Sequence, residues 1–114
     1  MDRHTKSLPP DIPPGTLHML ILKTLARGPL HGYAIAQQIL RISDDVLQVE
    51  EGSLYPALQR MLIKGWVKAE WGTTDRNRRA RFYRLTPEGR RRLNAEIAEF
   101  TRVMEAIVRV IQPA

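Results

Sequence analysis

The chain has 114 residues, enough for one domain, and a formal net charge of +6 from 18 Lys and Arg against 12 Asp and Glu. It contains no Cys and only three scattered His, which excludes disulfides and argues against a metal cage, so we expect no metal and no cofactor. No apolar run approaches the roughly 20 residues that span a bilayer, and no apolar signal-peptide core is present. We therefore expect a cytoplasmic protein that makes no membrane contact.

The positive charge is concentrated in one stretch. Residues 1–75 carry eight basic and eight acidic side chains, residues 76–92 carry eight Arg and one Glu, and residues 93–114 carry two Arg and three Glu. Such a distribution is typical of a protein that meets a polyanion with one particular element.

The chain begins with helix-breaking residues and continues with two short helices. Four Pro in the first fourteen residues predict a flexible arm over residues 1–14. Apolar residues at three- and four-residue spacing predict a first helix that starts at Thr16 and stops at Gly28-Pro29. A second helix should run from about His31 to Ser43, with Tyr33 on its apolar face.

A third helix is predicted over residues 53–64. Ser53 is a good N-cap residue, and it would place Pro56 in the first turn, where a missing N–H costs no helical hydrogen bond. Apolar side chains would point inward from one side of this helix, while Tyr55, Gln59 and Arg60 would lie on the other.

The side-chain pattern then changes to an alternation of two. Residues 66–71 and 81–85 read as two strands of a hairpin, joined by a long polar tip over residues 72–80. Trp66 and Trp71 fit the core of these strands better than a ligand platform. Thr86-Pro87 is a helix-start signature, with Thr as N-cap and Pro at the first helical position.

The last helix is the longest and carries a narrow apolar seam. The seam residues recur at spacings of 4, 3, 4, 3 and 4, a heptad pattern that the small body of the domain cannot cover by itself. We therefore expect a second copy of the chain to bury the seam, in a dimer interface formed by Leu93, Ile97, Phe100, Met104, Ile107 and Ile111.

Three helices, a hairpin and a final helix, in this order, predict a mainly α fold with a small β-hairpin, the winged helix-turn-helix. Its DNA-binding domain would span residues 15–86, and its C-terminal dimerisation helix residues 87–114. The third helix would enter the major groove and the Arg-rich tip, the wing, would lie on the backbone or in the minor groove. The residues expected at DNA are Ser53, Tyr55, Gln59, Arg60, Arg76, Asn77, Arg78, Arg79, Arg81 and Arg90.

Each of these assignments has a plainer alternative. The alternative for the wing is a solvated charged loop, which its position after three helices makes the less favoured reading. The alternative for Tyr55 is a core aromatic with its hydroxyl at the surface, and for Gln59 and Arg60 it is a solvated side chain. The helix macrodipole disfavours cations at residues 90–92, which either bind phosphates or pair with Glu88 and Glu96 at helical spacing.

Several segments resemble the signature of the PadR family of bacterial transcriptional regulators. They are LHGYAI at residues 30–35, EGSLYPAL at 51–58, KGWV at 64–67 and RFYRLTPEG at 81–89. The chain is similar to the short type with a single C-terminal helix, over residues 15–93. Where family members commonly have a Leu-Glu pair, this chain has Met61-Leu62-Ile63, so the role of Ile63 is open.

The resemblance implies a homodimer that binds double-stranded DNA at a palindromic operator, usually as a repressor. It supports Ser53 and Tyr55 as DNA-facing and the Arg of residues 76–81 as the wing. Some family members release DNA when a small aromatic effector binds at the dimer interface, and here Trp66, Trp71 and Phe100 are the aromatic residues that could form such a pocket.

A different class of function remains open at this point. The winged helix could serve as the scaffold of a protein-interaction module whose basic stretch docks an acidic partner. An enzyme is not expected, because no nucleophile, base and orienting group come together in the sequence.

Overall fold

The structure is a computed structural model that describes residues 12–13 and 15–113. Most of the predicted N-terminal arm therefore lies outside the described residues. The elements follow one another as helix α1, strand β1, helices α2 and α3, strands β2 and β3, and helix α4. Their bounds are α1 Leu17–Leu25, β1 Leu30–His31, α2 Gly32–Ile42, α3 Glu51–Ile63, β2 Val67–Thr73, β3 Arg79–Leu85 and α4 Pro87–Ile111.

The fold is the predicted winged helix, mainly α with a β-hairpin. Its core is a single cluster contributed by α1, α2, α3, the hairpin and the start of α4. The fully buried side chains are Ile21, Leu22, Ile35, Ala57, Leu58 and Met61. Because all three helices supply members, the core fixes their mutual packing.

The sheet has three strands in the order β1-β3-β2, one more than the sequence predicts. The extra strand has two residues and pairs antiparallel with β3, Leu30 opposite Tyr83 and His31 opposite Phe82. A strand of two residues shows no side-chain period, and it forms here because β3 offers it a free edge. This pairing ties the corner between α1 and α2 to the hairpin.

The hairpin strands extend further than predicted, which shortens the tip. The ladder continues through the pairs Gly72 with Ala80 and Thr73 with Arg79, so the loop spans only residues 74–78. Gly72 lies under the ring of Phe82, since an added Cβ would come within 2.9 Å of that ring. The absence of a side chain at Gly72 lets the aromatic ring cover this part of the ladder.

Helix α2 has the predicted length, with His31 as its N-cap and Ser43 as its C-cap. The predicted place of Tyr33 on the apolar face is wrong, because its side chain is 63% exposed. The inward positions of this helix are taken by Ile35 and Ile39 instead. The tyrosine hydroxyl accepts a hydrogen bond of 2.7 Å from Gln37 Nε2.

Helix α3 starts earlier than predicted. Its N-cap is Glu50, which makes no side-chain capping bond, and its first helical hydrogen bond runs from Leu54 N to Glu50 O at 2.9 Å. Ser53 is therefore inside the first turn, and Pro56 is an interior residue that leaves the carbonyl of Gly52 without its helical donor. Leu54, which is 1% exposed, therefore enters the core from within the first turn and not at the cap.

Candidate nucleic-acid interface

The outer face of α3 is polar and accessible. Leu54, Ala57, Leu58 and Met61 are buried against the body of the domain. The side chains on the other side, which include all four predicted DNA contacts of this helix, are exposed: Ser53, Tyr55, Pro56, Gln59, Arg60 and Ile63. The face that could enter a groove therefore presents a hydroxyl, a phenol, an amide and a guanidinium.

Tyr55 is 44% exposed, less than Ile63 at 77%. Its ring lies against the first turn of α2, where a Cβ added to Gly32 would come within 2.6 Å of the tyrosine hydroxyl oxygen. Partial burial, followed by the nearby Glu51 carboxylate and Tyr83, raises the pKa of the Tyr55 hydroxyl. The group is therefore neutral at physiological pH and able to donate a hydrogen bond.

The C-terminal end of α3 is fixed to the base of the hairpin. Trp66 N donates to Met61 O at 2.9 Å and Gly65 N to Leu62 O at 3.1 Å, the two bonds of a Schellman motif. Gly65 has φ +77°, a left-handed conformation that glycine adopts without steric cost. The orientation of α3 relative to the hairpin is thus set by backbone hydrogen bonds.

The same turn anchors the start of α4 through Thr86. Its single hydroxyl proton is shared between Gly65 O at 2.7 Å and Trp66 O at 3.0 Å, and its oxygen accepts from Gly89 N at 2.9 Å. The predicted N-cap is confirmed, with Pro87 at the first helical position. A Cβ at Gly89 would lie 2.0 Å from the carbonyl oxygen of Trp66, so the helix approaches this turn as closely as only glycine permits.

The wing tip is a short ordered loop. Thr74 N donates to Arg78 O at 2.8 Å and Asn77 N to Thr74 O at 2.9 Å. Asn77 has φ +62°, which asparagine tolerates better than most residues. The five predicted wing contacts are all exposed: Arg76, Asn77, Arg78, Arg79 and Arg81.

One wing arginine is held by an aromatic ring. The Arg79 guanidinium carbon lies 4.6 Å from the centre of the Trp71 ring. Trp71 is 60% exposed, so its predicted place in the strand core is wrong. The ring instead supports the Arg79 side chain at the surface, which reduces the rotamer freedom that a phosphate contact would have to restrict.

The arginines at the start of α4 are not equivalent. Arg91 pairs with Glu88, and Arg92 Nε donates to Glu96 Oε2 at 2.8 Å, as the helical spacing allows. Arg92 also lies over the Trp66 ring, 4.9 Å from its centre. Among these three, Arg90 is the arginine that makes no ion pair within the described part of the chain.

The start of α2 lies between α3 and the wing, and sequence reasoning missed its surface. Gly32 contacts Tyr55 of α3, while His31 pairs with Phe82 of β3. A groove of about 780 Å³ separates α2 from the wing and is lined by Tyr33 and Gln37 on one side and by arginines of the tip on the other. A sequence signal for this surface is Tyr33, an aromatic residue in the first turn of the helix, which the apolar period groups with the inward face.

The residues proposed for an effector pocket do not come together. Trp66 is half-buried between Arg92 and Lys64, whose Nζ lies 5.3 Å from the ring centre. Trp71 lies on the wing, and Phe100 lines a separate groove of about 480 Å³ between α1 and α4. Arg92 also lines that groove, and it connects two of the three aromatic residues.

The seam on α4 is exposed from its middle onward. Leu93 is 2% exposed and belongs to the core of its own chain, so its predicted place in a dimer interface is wrong. Ile97 is half-buried against the same core. The remaining seam residues and three neighbouring Val are exposed apolar side chains: Phe100, Val103, Met104, Ile107, Val108, Val110 and Ile111.

Glu96 forms part of the wall of the groove between α1 and α4. Its Oε2 accepts from Arg92, while its Oε1 is buried and has no hydrogen-bond partner among the described residues. Within residues 12–13 and 15–113, no helix combines the length and the hydropathy that crossing a bilayer requires.

Comparison with known proteins identifies the family. The model of the transcriptional regulator PadR-like family matches residues 21–95. A transcriptional regulator from Mycobacterium tuberculosis is 33% identical over 91 residues, 80% of this chain and 78% of its own length. The structure of a transcriptional regulator from Clostridium thermocellum is 28% identical with a TM-score of 0.78, covering 86% of this chain and 95% of that one.

A third similarity concerns the fold alone. The structure of Bacillus subtilis PadR in complex with operator DNA is 22% identical with a TM-score of 0.65, over 75% of this chain and 48% of that one. The family match and the 33% identical relative show that the chain belongs to the PadR-like family of transcriptional regulators, and the chain is therefore a DNA-binding regulator and not an enzyme.

Proposed function

We propose that this regulator is a homodimeric, sequence-specific repressor that works in the cytoplasm on a palindromic operator in double-stranded DNA. In this proposal α3 enters the major groove, and the wing lies on the backbone or in the minor groove. The observation that carries it is the arrangement of two surfaces on either side of the start of α2: the polar face of α3 against Gly32, and the arginine-rich wing beyond His31.

The side chains of α3 and of the wing suit different parts of the DNA. Gln59 and Arg60 carry groups that can form paired hydrogen bonds with adenine and guanine edges. The wing arginines, and Arg90 at the start of α4, would contact phosphates, which gives affinity and salt dependence but little sequence preference.

Dimerisation is supported by the exposed apolar strip on α4 and the groove beside it. The groove between α1 and α4 is lined by Met19, Phe100 and Met104, and an apolar helix from a second copy would pack along its edge. A two-fold dimer would present α3 and the wing twice, which is why the operator should be palindromic.

The dimer can be tested on exposed residues alone. Met104→Asp with Ile107→Asp adds two carboxylates to the strip without touching the core, and should yield a monomer in sedimentation. Asn94→Asp with Ala98→Asp adds the same two charges to the opposite side of α4 and should leave the dimer intact. A dimer that persisted in the first variant would place the interface elsewhere.

A small aromatic effector would bind beside Phe100, where the groove is apolar, and not at Trp71. Its arrival would be reported by Trp66, because Arg92 contacts both that ring and the groove. A screen of small aromatic compounds for a change in Trp66 emission, in a Trp71→Phe background, tests this part of the proposal.

Sequence-specific binding is tested by selection. A pool of random-sequence duplexes should yield a palindromic consensus after rounds of capture on the protein with excess nonspecific competitor. Retention without any enrichment would instead favour a basic stretch that docks an acidic protein partner.

A further inference from the structure

A hydrogen-bonded pair of polar side chains forms a ridge on the outer surface of α2. Gln37 Nε2 donates to the Tyr33 hydroxyl at 2.7 Å, one helical turn apart. Tyr33 is 63% exposed, although its ring is large and apolar. Burial in the core does not explain this residue, and a contact outside the subunit is the alternative.

The ridge stands between the two elements assigned to DNA. Tyr33 and Gln37 line the groove of about 780 Å³ that faces the wing. They also line a second groove, of about 290 Å³, whose other wall includes Glu51 and Tyr55 at the start of α3. The pair is therefore the wall that these two grooves share.

Duplex geometry determines what such a wall would meet. A major groove and the adjacent minor groove are separated by one sugar-phosphate backbone. If α3 occupies the major groove and the wing lies at the neighbouring minor groove, the strand between them passes over the surface between α3 and the wing. Tyr33 and Gln37 occupy that surface.

The chemistry of the wing-side groove suits a phosphodiester. Arg76, Arg78 and Arg79 line it, against a single carboxylate from Asp75. The Tyr33 oxygen already accepts a hydrogen bond from Gln37, so its own proton is free for an anionic acceptor, and Gln37 retains a second amide N–H.

We propose that Tyr33 and Gln37 donate hydrogen bonds to one phosphate of the DNA strand that passes between α3 and the wing. This inference rests on the proposed function, and it adds the contact that sets how far α3 is displaced along the major groove. The contact is made to the backbone, so it positions the helix without reading a base.

The test uses the duplex obtained by selection and a set of its versions with single methylphosphonate linkages, each of which neutralises one phosphate. For wild-type protein, neutralising the phosphate between the α3 contacts and the wing contacts should weaken binding about tenfold. Tyr33→Phe should weaken binding to the unmodified duplex to a similar extent, and Gln37→Ala about threefold. Gln112→Ala, the same change at the far end of α4, should have no effect.

The decisive measurement combines the two changes. Tyr33→Phe should bind the neutralised duplex no more weakly than wild type does, because the two losses remove the same interaction. Losses that multiply in full, or a Tyr33→Phe variant that binds like wild type, would overturn the inference and leave the proposed function standing. Failure to select any duplex would overturn the proposed function itself. Because Tyr33 is exposed, Tyr33→Phe should retain the wild-type melting temperature, and methylphosphonate scanning of the wild-type complex requires no variant.

Discussion

Tyr55 of α3 covers the backbone of Gly32 in α2 so closely that an added Cβ would lie 2.6 Å from the tyrosine hydroxyl oxygen and 2.8 Å from the ring. The two segments that carry the family resemblance, LHGYAI and EGSLYPAL, therefore meet at this point. Glycine at one position and an aromatic ring at the other set the closest approach of the first turn of α2 to α3.

Gly32→Ala should lower the free energy of unfolding by about 1–2 kcal/mol, because the Tyr55 ring must move out of its packed position. In a Tyr55→Ala background the same change should be neutral or stabilising by up to about 1 kcal/mol, since alanine favours a helix over glycine. Urea denaturation of wild type, Gly32→Ala, Tyr55→Ala and the double variant measures the coupling free energy between the two positions.

Gly52→Ala provides the matched control for that cycle. Gly52 is also in the first turn of a helix, but an added Cβ there meets no atom within 4 Å in the described structure. This variant should be at least as stable as wild type. Equal effects of Gly32→Ala with and without the Tyr55 ring would show that the contact does not limit the packing of the two helices.

The chain order of the helices and the hairpin could be predicted because it depends on local signals. Thr86-Pro87 caps α4 as expected, since an N-cap depends only on the residues of one turn. The start of α3 could not be predicted in this way: Ser53 is the better cap by residue type, but the helix begins at Glu51 after an N-cap, Glu50, that makes no side-chain capping bond.

Two parts of the site depended on tertiary contacts that no period in the sequence reports. Strand β1 exists only through its pairing with β3, and that pairing brings the start of α2 beside the wing. The apolar period groups Tyr33 with Ile35 and Ile39 on one face of α2, whereas the three-dimensional arrangement places it on the surface shared by α3 and the wing.

Thr86→Val should lower the free energy of unfolding by about 1–3 kcal/mol. The change removes a hydroxyl that bonds to Gly65 O and to the buried Gly89 N, and it leaves both without this partner, whereas Trp66 O keeps the bond from Thr86 N at 3.1 Å. Thr86→Ser keeps the hydroxyl and should retain most of the stability in the same denaturant series. A valine variant as stable as the serine variant would mean that this anchor contributes nothing to stability.

Asp44→Gly should raise the free energy of unfolding by about 0.5–1 kcal/mol. Asp44 and Asp45 have φ of +54° and +65°, and they close α2 with bonds from Asp45 N to Leu40 O at 2.8 Å and from Asp44 N to Arg41 O at 3.1 Å. Glycine at position 44 has no Cβ and so removes the steric cost of the left-handed backbone conformation there. Asp44→Ala retains that cost and should not stabilise, so a glycine variant no better than the alanine variant would refute the explanation.

His18 should make the protein less stable as the pH falls. Partial burial, and next the charge of Arg60, lower the pKa of His18 below its ordinary value of 6.5; Lys64 and Arg92 act in the same direction and Glu96 opposes them. The unfolded chain then binds a proton more readily than the folded one, so stability is lost as the pH drops from about 6.5 through the folded-state pKa.

The His18→Gln variant isolates this contribution. Urea unfolding at about pH 7.5 and pH 5 should show a smaller loss of stability for this variant than for wild type. An equal loss in both proteins would assign the pH dependence to other groups.

In the proposed function, α3 reads the base sequence and the wing supplies affinity for the backbone, and DNA binding measured as a function of salt tests both roles most directly. The dissociation constant should be determined for the selected duplex and for a scrambled duplex of the same composition. Arg76→Ala with Arg78→Ala should weaken binding to both duplexes alike and reduce the slope of log Kd against log salt by about 2. Gln59→Ala should weaken binding to the selected duplex alone, by about 1–3 kcal/mol.

Arg102→Ala with Arg109→Ala removes the same charge from α4, far along the helix from the wing, and should leave both constants close to wild type. A wing variant with wild-type affinity and an unchanged salt slope, or a Gln59→Ala variant that loses affinity equally for both duplexes, would contradict the assignment of these two surfaces to DNA.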